Sequence, residues 1–174
     1  MNLILLGGNG VDNKDWIEEI ELILKPYFKS TQIQYYDHWK SGTELINLNK
    51  EVDKLIKNIN LKAKYIIFAK SVGSLVATKA IFDEKILPIK CFFVGVPVHW
   101  AYKHNFDINK WFKNLKVPLT IIQHTNDPIT SAKELKIFLK AEGVINYNLV
   151  EWPGNDHFYK ELDRIKTFVI NTAK

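Results

Sequence analysis

The sequence is short of several things, and each shortage closes off a class of protein. Cysteine occurs once in 174 residues, so no internal disulfide can brace the chain. That residue, Cys91, sits inside the apolar run CFFVGV, where a core thiol in a reducing compartment is expected. Glycine and proline number 8 and 6, too few for a collagen-like or low-complexity chain. No apolar run approaches the ~20 residues a membrane-crossing helix requires. The opening MNLILL carries no basic leader and is interrupted at once by GGNG, unlike a secretory signal. A dense basic block is missing as well. The net charge is +5, but the lysines are spread along most of the amphipathic stretches and read as solvated helix faces. The expectation is a cytoplasmic chain with neither a nucleic-acid nor a membrane partner.

What is present is alternation. Short apolar runs suggest strands at Leu3–Leu6, Gln32–Tyr36, Tyr65–Ala69, Ile89–Gly95, Pro118–Gln123 and Tyr147–Glu151. Between them lie helical patterns. In DWIEEIELILK the apolar residues 16, 17, 20, 23 and 24 share one face, and INLNKEVDKLIKNI repeats Leu48, Val52, Leu55, Ile56 and Ile59 at helical spacing. SLVATKAIF, SAKELKIFLKA and ELDRIKTFVI read the same way. Strands that are apolar without alternation, each followed by a helix, predict a parallel sheet covered on both faces. This is an α/β three-layer sandwich, expected as a single domain over residues 1–174. Right-handed crossovers, with the second and third strands flanking the first, give the order 2-1-3-4-5-6. Ligands then bind beyond the carboxyl ends of strands one and three, where the winding reverses. The segments leaving those ends are GGNG and KSVGS.

In AKSVG, residues 69–73, small residues stand two before and two after Ser71. A sharp strand-to-helix turn that holds a nucleophile at strained dihedrals has that steric demand. A serine at a helix start is usually just an N-cap, so Ser71 needs partners to be read as a nucleophile. A base comes first, because a neutral hydroxyl is a poor nucleophile. Of the five histidines, His157 lies in GNDHF, after the last strand and over the carboxyl edge of the sheet. His124 follows a strand and is expected to pack in its loop, and His104 sits in a polar stretch and is expected to be exposed. A carboxylate must then fix the imidazole. Asp127 stands in a turn after the fifth strand. Asp156 is adjacent to His157, where two neighbouring side chains rarely meet at the needed angle, and Asp163 sits within the final helix. Ser71, Asp127 and His157 thus follow the third, fifth and sixth strands. Ser74 reads as helix surface.

With that order of residues, the sequence resembles an α/β-hydrolase over nearly its whole length, in a short form without extra N-terminal strands. It looks most like the small serine hydrolases of the retinoblastoma-binding protein 9 type. The matching stretches are LGGNG with Trp16, AKSVG, NDPIT around Asp127 and GNDHF around His157. The resemblance implies nucleophile Ser71, acid Asp127 and base His157. Two positions depart from the pattern: Ala69 replaces glycine, and Lys70 stands where such families often carry histidine.

An oxyanion hole needs two backbone N–H groups. Val72 supplies one, and the loop after the first strand offers Gly8 or Asn9 for the other. His38, Trp39, His99 and Trp100 follow strands and either wall a shallow aromatic pocket or simply pack. The stretch between strands four and five has room for a small helix, not a large lid. The expected reaction is acyl transfer from a small soluble ester, thioester or amide to water, with no cofactor. Two rivals stand beside it. A non-catalytic binding protein could keep the same fold. A nucleotide-binding module would need glycine at position 13 to complete G-x-G-x-x-G, and Asn13 is there. No histidine pair has H-x-x-x-H spacing, so a metal site is not expected.

Overall fold

A computed structural model describes residues 1–41 and 45–173. Six strands form one sheet in the order β2-β1-β3-β4-β5-β6: β1 (Asn2–Leu6), β2 (Ser30–Gln34), β3 (Tyr65–Lys70), β4 (Cys91–Val94), β5 (Leu119–His124) and β6 (Tyr147–Trp152). Every neighbouring pair is parallel. The inner strands β3, β4 and β5 are buried along their full length, because helices cover both faces and leave no side for polar alternation. The edge strands β2 and β6 are only partly buried and read as STQIQ and YNLVEW.

The helices are α1 (Asn13–Leu24), α2 (His38–Ser41), α3 (Leu48–Asn58), α4 (Val72–Phe82), α5 (Val98–Lys103), α6 (Ile108–Phe112), α7 (Ala132–Ala141) and α8 (Leu162–Thr172). On one face α1 packs against α8; on the other, α4 packs against α3 and α6. Phe112 of α6 meets Phe138 of α7 edge-on, with centroids 5.3 Å apart. Local chemistry fixes several helix starts. Asn47 accepts from Lys50 N–H to cap α3, and Ser131 and Glu134 form a reciprocal capping box on α7.

Three expectations change. β2 lies at Ser30–Gln34, two residues earlier than its aromatic end suggested. Pairing starts with Ser30 opposite Asn2, and Tyr36 lies beyond the strand, buried, with its hydroxyl donating to the Gly7 carbonyl at 3.1 Å. β4 is shorter than the expected Ile89–Gly95: its pairing with β3 starts only at Cys91, opposite Ile67, and Gly95, at φ 64°, turns the chain out of the sheet after Val94. Ser74 is fully buried, since α4 is sandwiched between the sheet and its neighbouring helices. Its hydroxyl donates to the Ser71 carbonyl at 2.6 Å.

Candidate active site

Ser71 joins β3 to α4 at φ 49° and ψ −121°, a backbone conformation that costs a non-glycine residue of the order of 1–3 kcal/mol. The bend is held on both sides. The Ser71 N–H donates to the Val94 carbonyl at 2.8 Å. Gly73 brings α4 against β1 so closely that a β-carbon there would lie 2.6 Å from the Leu6 carbonyl oxygen. Although Ser71 occupies the N-cap position, its side chain makes no capping bond. Instead its Oγ lies 2.9 Å from Nε2 of His157.

Nδ1 of His157 lies 2.7 Å from Oδ2 of Asp127. Burial pushes the Asp127 carboxyl up, but the hydrogen bond and charge of His157, with bonds from Tyr159 and the Ile129 N–H, outweigh it and hold the group below its ordinary value. An ionised carboxylate only accepts, so the imidazole proton sits on Nδ1 and the lone pair of Nε2 faces the serine hydroxyl. The relay can therefore draw the proton from Ser71 as Oγ attacks an electrophile.

Asp127 is fixed by more than the imidazole. Ile129 N–H donates to Oδ1 at 2.8 Å, and the Tyr159 hydroxyl donates to Oδ2 at 2.6 Å. Gln123, buried at the end of β5, donates to the same oxygen at 3.4 Å and to the Thr130 carbonyl at 2.6 Å. Tyr159 stacks on buried His124 with centroids 4.0 Å apart and accepts from the His124 N–H. Burial pushes its phenol well above the ordinary range, reinforced by Asp127, so it remains a donor. Asp156 does not compete for His157. Its Oδ1 accepts from the Phe158 N–H at 2.7 Å and shapes the loop that presents the imidazole. Gly95 leaves room for that loop, because a β-carbon there would lie 2.6 Å from the Tyr159 ring and 3.0 Å from His157 Cε1.

A cavity of about 250 Å³ opens beside the serine, bordered by Asn9, Lys70, Ser71, Val72, Trp100 and His157. Gly8 is buried behind it, packed so closely on the Asn13 side chain that a β-carbon would lie 2.5 Å from Oδ1. Of the four aromatic pocket candidates, Trp100 borders the cavity. His38 and Trp39 lie behind the Gly-rich loop, where Nε2 of His38 is 2.7 Å from the Asn9 carbonyl and the Trp39 indole donates to that oxygen at 3.1 Å. His99 lines a separate groove with Val98 and Glu134. His104 is half-buried, its ring 4.3 Å from that of Trp100.

A family model described as an alpha/beta hydrolase domain matches residues 27–168. The chain is an alpha/beta hydrolase. Solved structures agree on the fold of this hydrolase. Est1E from Butyrivibrio proteoclasticus, in a structure with ferulic acid bound, superposes with a TM-score of 0.73 at 13% identity, over 99% of this chain and 87% of that one. The esterase Pf2001 from Pyrococcus furiosus does so with a TM-score of 0.69 at 16% identity, over 98% and 82% of the two chains. No curated protein is matched by the hydrolase at a significant level.

Sequence reasoning passed over Tyr159, Gln123 and Gly95. The only signal for Tyr159 was its place two residues after His157 in HFY, and loop aromatics are common. Among the described residues no helix is long and apolar enough to cross a membrane.

Proposed function

We propose that this hydrolase is a small serine hydrolase of the retinoblastoma-binding protein 9 type. It would cleave a short, soluble ester, thioester or amide through an acyl-enzyme on Ser71. The observation that carries the reading is the strained Ser71 with Oγ 2.9 Å from His157 Nε2, while Nδ1 of that ring is 2.7 Å from Asp127. In the first step the hydroxyl proton passes to Nε2 as Oγ bonds to the carbonyl carbon, and the carbonyl electron pair moves onto oxygen. Collapse of the adduct breaks the bond to the leaving group, which takes the proton from His157. Water then repeats the sequence on the acyl-enzyme, giving the free acid and restoring Ser71.

The Val72 and Asn9 N–H groups are assigned to the oxyanion. Both residues border the cavity and Gly8 does not. Asn9 itself is held in the loop, its carbonyl accepting from the Trp39 indole at 3.1 Å and its side-chain oxygen from the Ile46 N–H at 3.0 Å. Action in the cytoplasm belongs to the same proposal, supported by the lone, fully buried thiol of Cys91.

Labelling with a fluorophosphonate probe tests the assignment. Wild type should label, Ser71→Ala should not, and His157→Ala should label far more slowly. The loss of kcat at Ser71→Ala should be on the order of a million-fold, as in the worked serine-protease precedent. Equal labelling of wild type and Ser71→Ala, or no labelling of either, would overturn it.

A further inference from the structure

The cavity beside Ser71 holds a cation that the hydrolytic relay does not use. Lys70 is the last residue of β3, immediately before the nucleophile position. Only 3% of it is exposed, yet it borders the cavity together with Ser71, Val72 and His157. Its ammonium lies over the Trp16 ring, 4.5 Å from the centroid. Trp16 is itself fixed, donating from its indole nitrogen to the Tyr159 carbonyl at 2.9 Å. A cation over an aromatic face recovers part of what burial removes, but not a full ionic partner.

Among the described residues no carboxylate forms an ion pair with Lys70, and three act on it from further away. Asp12 borders the same cavity, Asp127 is engaged by His157 and Tyr159, and Asp156 is engaged by its own loop. Burial, the largest influence, brings the ammonium down to about 8, with those three carboxylates opposing the shift. The group therefore remains charged at neutral pH. A buried charge without a partner weakens a fold. One residue from a nucleophile, it becomes useful when the ligand brings the missing negative charge.

We propose that Lys70 is a specificity residue that pairs with a carboxylate on the acyl part of the substrate. The substrate class is then the monoester or monothioester of a short dicarboxylic acid. The acyl side is assigned because the cavity that Lys70 borders, about 250 Å³, takes a short acyl chain. A single cation in a small cavity suits one carboxylate better than a phosphate dianion, which calls for several donors. The cleavage step rests on the serine-hydrolase reading; the binding does not.

The test is therefore made on binding, in the Ser71→Ala protein. Calorimetric titration compares monomethyl succinate with methyl butyrate, its uncharged near-isostere. The anion should bind at least about tenfold more tightly, the effect of one charge-assisted hydrogen bond. Adding Lys70→Met should abolish the difference, and adding Lys70→Arg should preserve it. Equal affinity for the two ligands in Ser71→Ala overturns the proposal without recourse to any Lys70 variant, so a misfolded Lys70→Met protein cannot rescue it. A preference that survives in a folded Lys70→Met variant, checked by circular dichroism, overturns it too. Fluorophosphonate labelling is read separately. Labelling without an anion preference sinks the role of Lys70 alone, and an anion preference without labelling sinks the serine-hydrolase reading alone.

Discussion

At the scale of single residues, the site holds a charge against the interest of the fold. Burial brings the Lys70 ammonium down to about 8 in the native state, against ~10.4 in an unfolded chain. Below the lower value both states hold the proton, and the cost of burying the charge is present in full. Between the two values the unfolded chain binds more protons, so stability rises with pH. Lys70→Met should thus be more stable than wild type at pH 7, by roughly 1–3 kcal/mol, and the gain should fade as pH approaches ~10.5. Urea midpoints measured across that range check it; a pH-independent difference would mean that packing, not charge, sets the effect. Such a trade of stability for a charged site is common where binding needs it. Lys70 was visible in the sequence only as a departure from a pattern. Its burial depends on Trp16, which α1 brings over the end of β3. Ser71, Asp127 and His157 were legible because each follows a strand. Tyr159 was not, since a tyrosine in a loop carries no mark in the sequence that its hydroxyl reaches Asp127.

Between elements, a close backbone approach makes the bend. A β-carbon at Gly73 would lie 2.6 Å from the Leu6 carbonyl oxygen and 2.8 Å from that of Gly7, and both are backbone atoms of β1 and the loop that follows it. Neither can rotate away, so Gly73→Ala must lift α4 from the sheet. The expected loss is roughly 1–3 kcal/mol, with slower fluorophosphonate labelling as Ser71 shifts. Gly10→Ala is the contrast. Its β-carbon would meet the carboxylate end of exposed Asp12, which can swing aside, so stability should change by less than about 0.5 kcal/mol. Equal urea midpoints for the two variants would contradict the argument. The small-residue requirement at Gly73 was readable from AKSVG, although the atoms that impose it were not. The inner strands were readable for a related reason, since burial on both faces leaves an unbroken apolar run. β2 was misplaced because an edge strand is only partly buried, so its apolar residues need not lie in the ladder. Tyr35 and Tyr36 fall just outside it. The short helices α5 and α6 were legible only as limited room between two strands.

For the whole molecule, sheet order decides what the site can be. Handedness of the crossovers, together with the first strand's neighbours, was enough to anticipate 2-1-3-4-5-6, and that order brings the ends of β3, β5 and the loop after β6 to one edge. The dimensions of the cavity were not legible, because they depend on where α5 settles between β4 and β5. Trp100 of α5 forms one wall and is wedged against Phe106, with centroids 5.7 Å apart, as well as against His104. That wall is built from mutually packed rings, so it yields little to a longer ligand. The volume of about 250 Å³ lies below the ~300–1,000 Å³ usual for drug-sized ligands. Each methylene beyond the cavity gains no burial and has to follow an open, partly polar rim. In a series of aryl esters from acetate through butyrate to decanoate, kcat/KM should therefore peak at the short end. The decanoate ester should fall about tenfold or more below the best, the equivalent of ~1.4 kcal/mol in the transition state. A rise through decanoate would place the acyl chain along an apolar surface outside the cavity, with Trp100 guarding the leaving group instead.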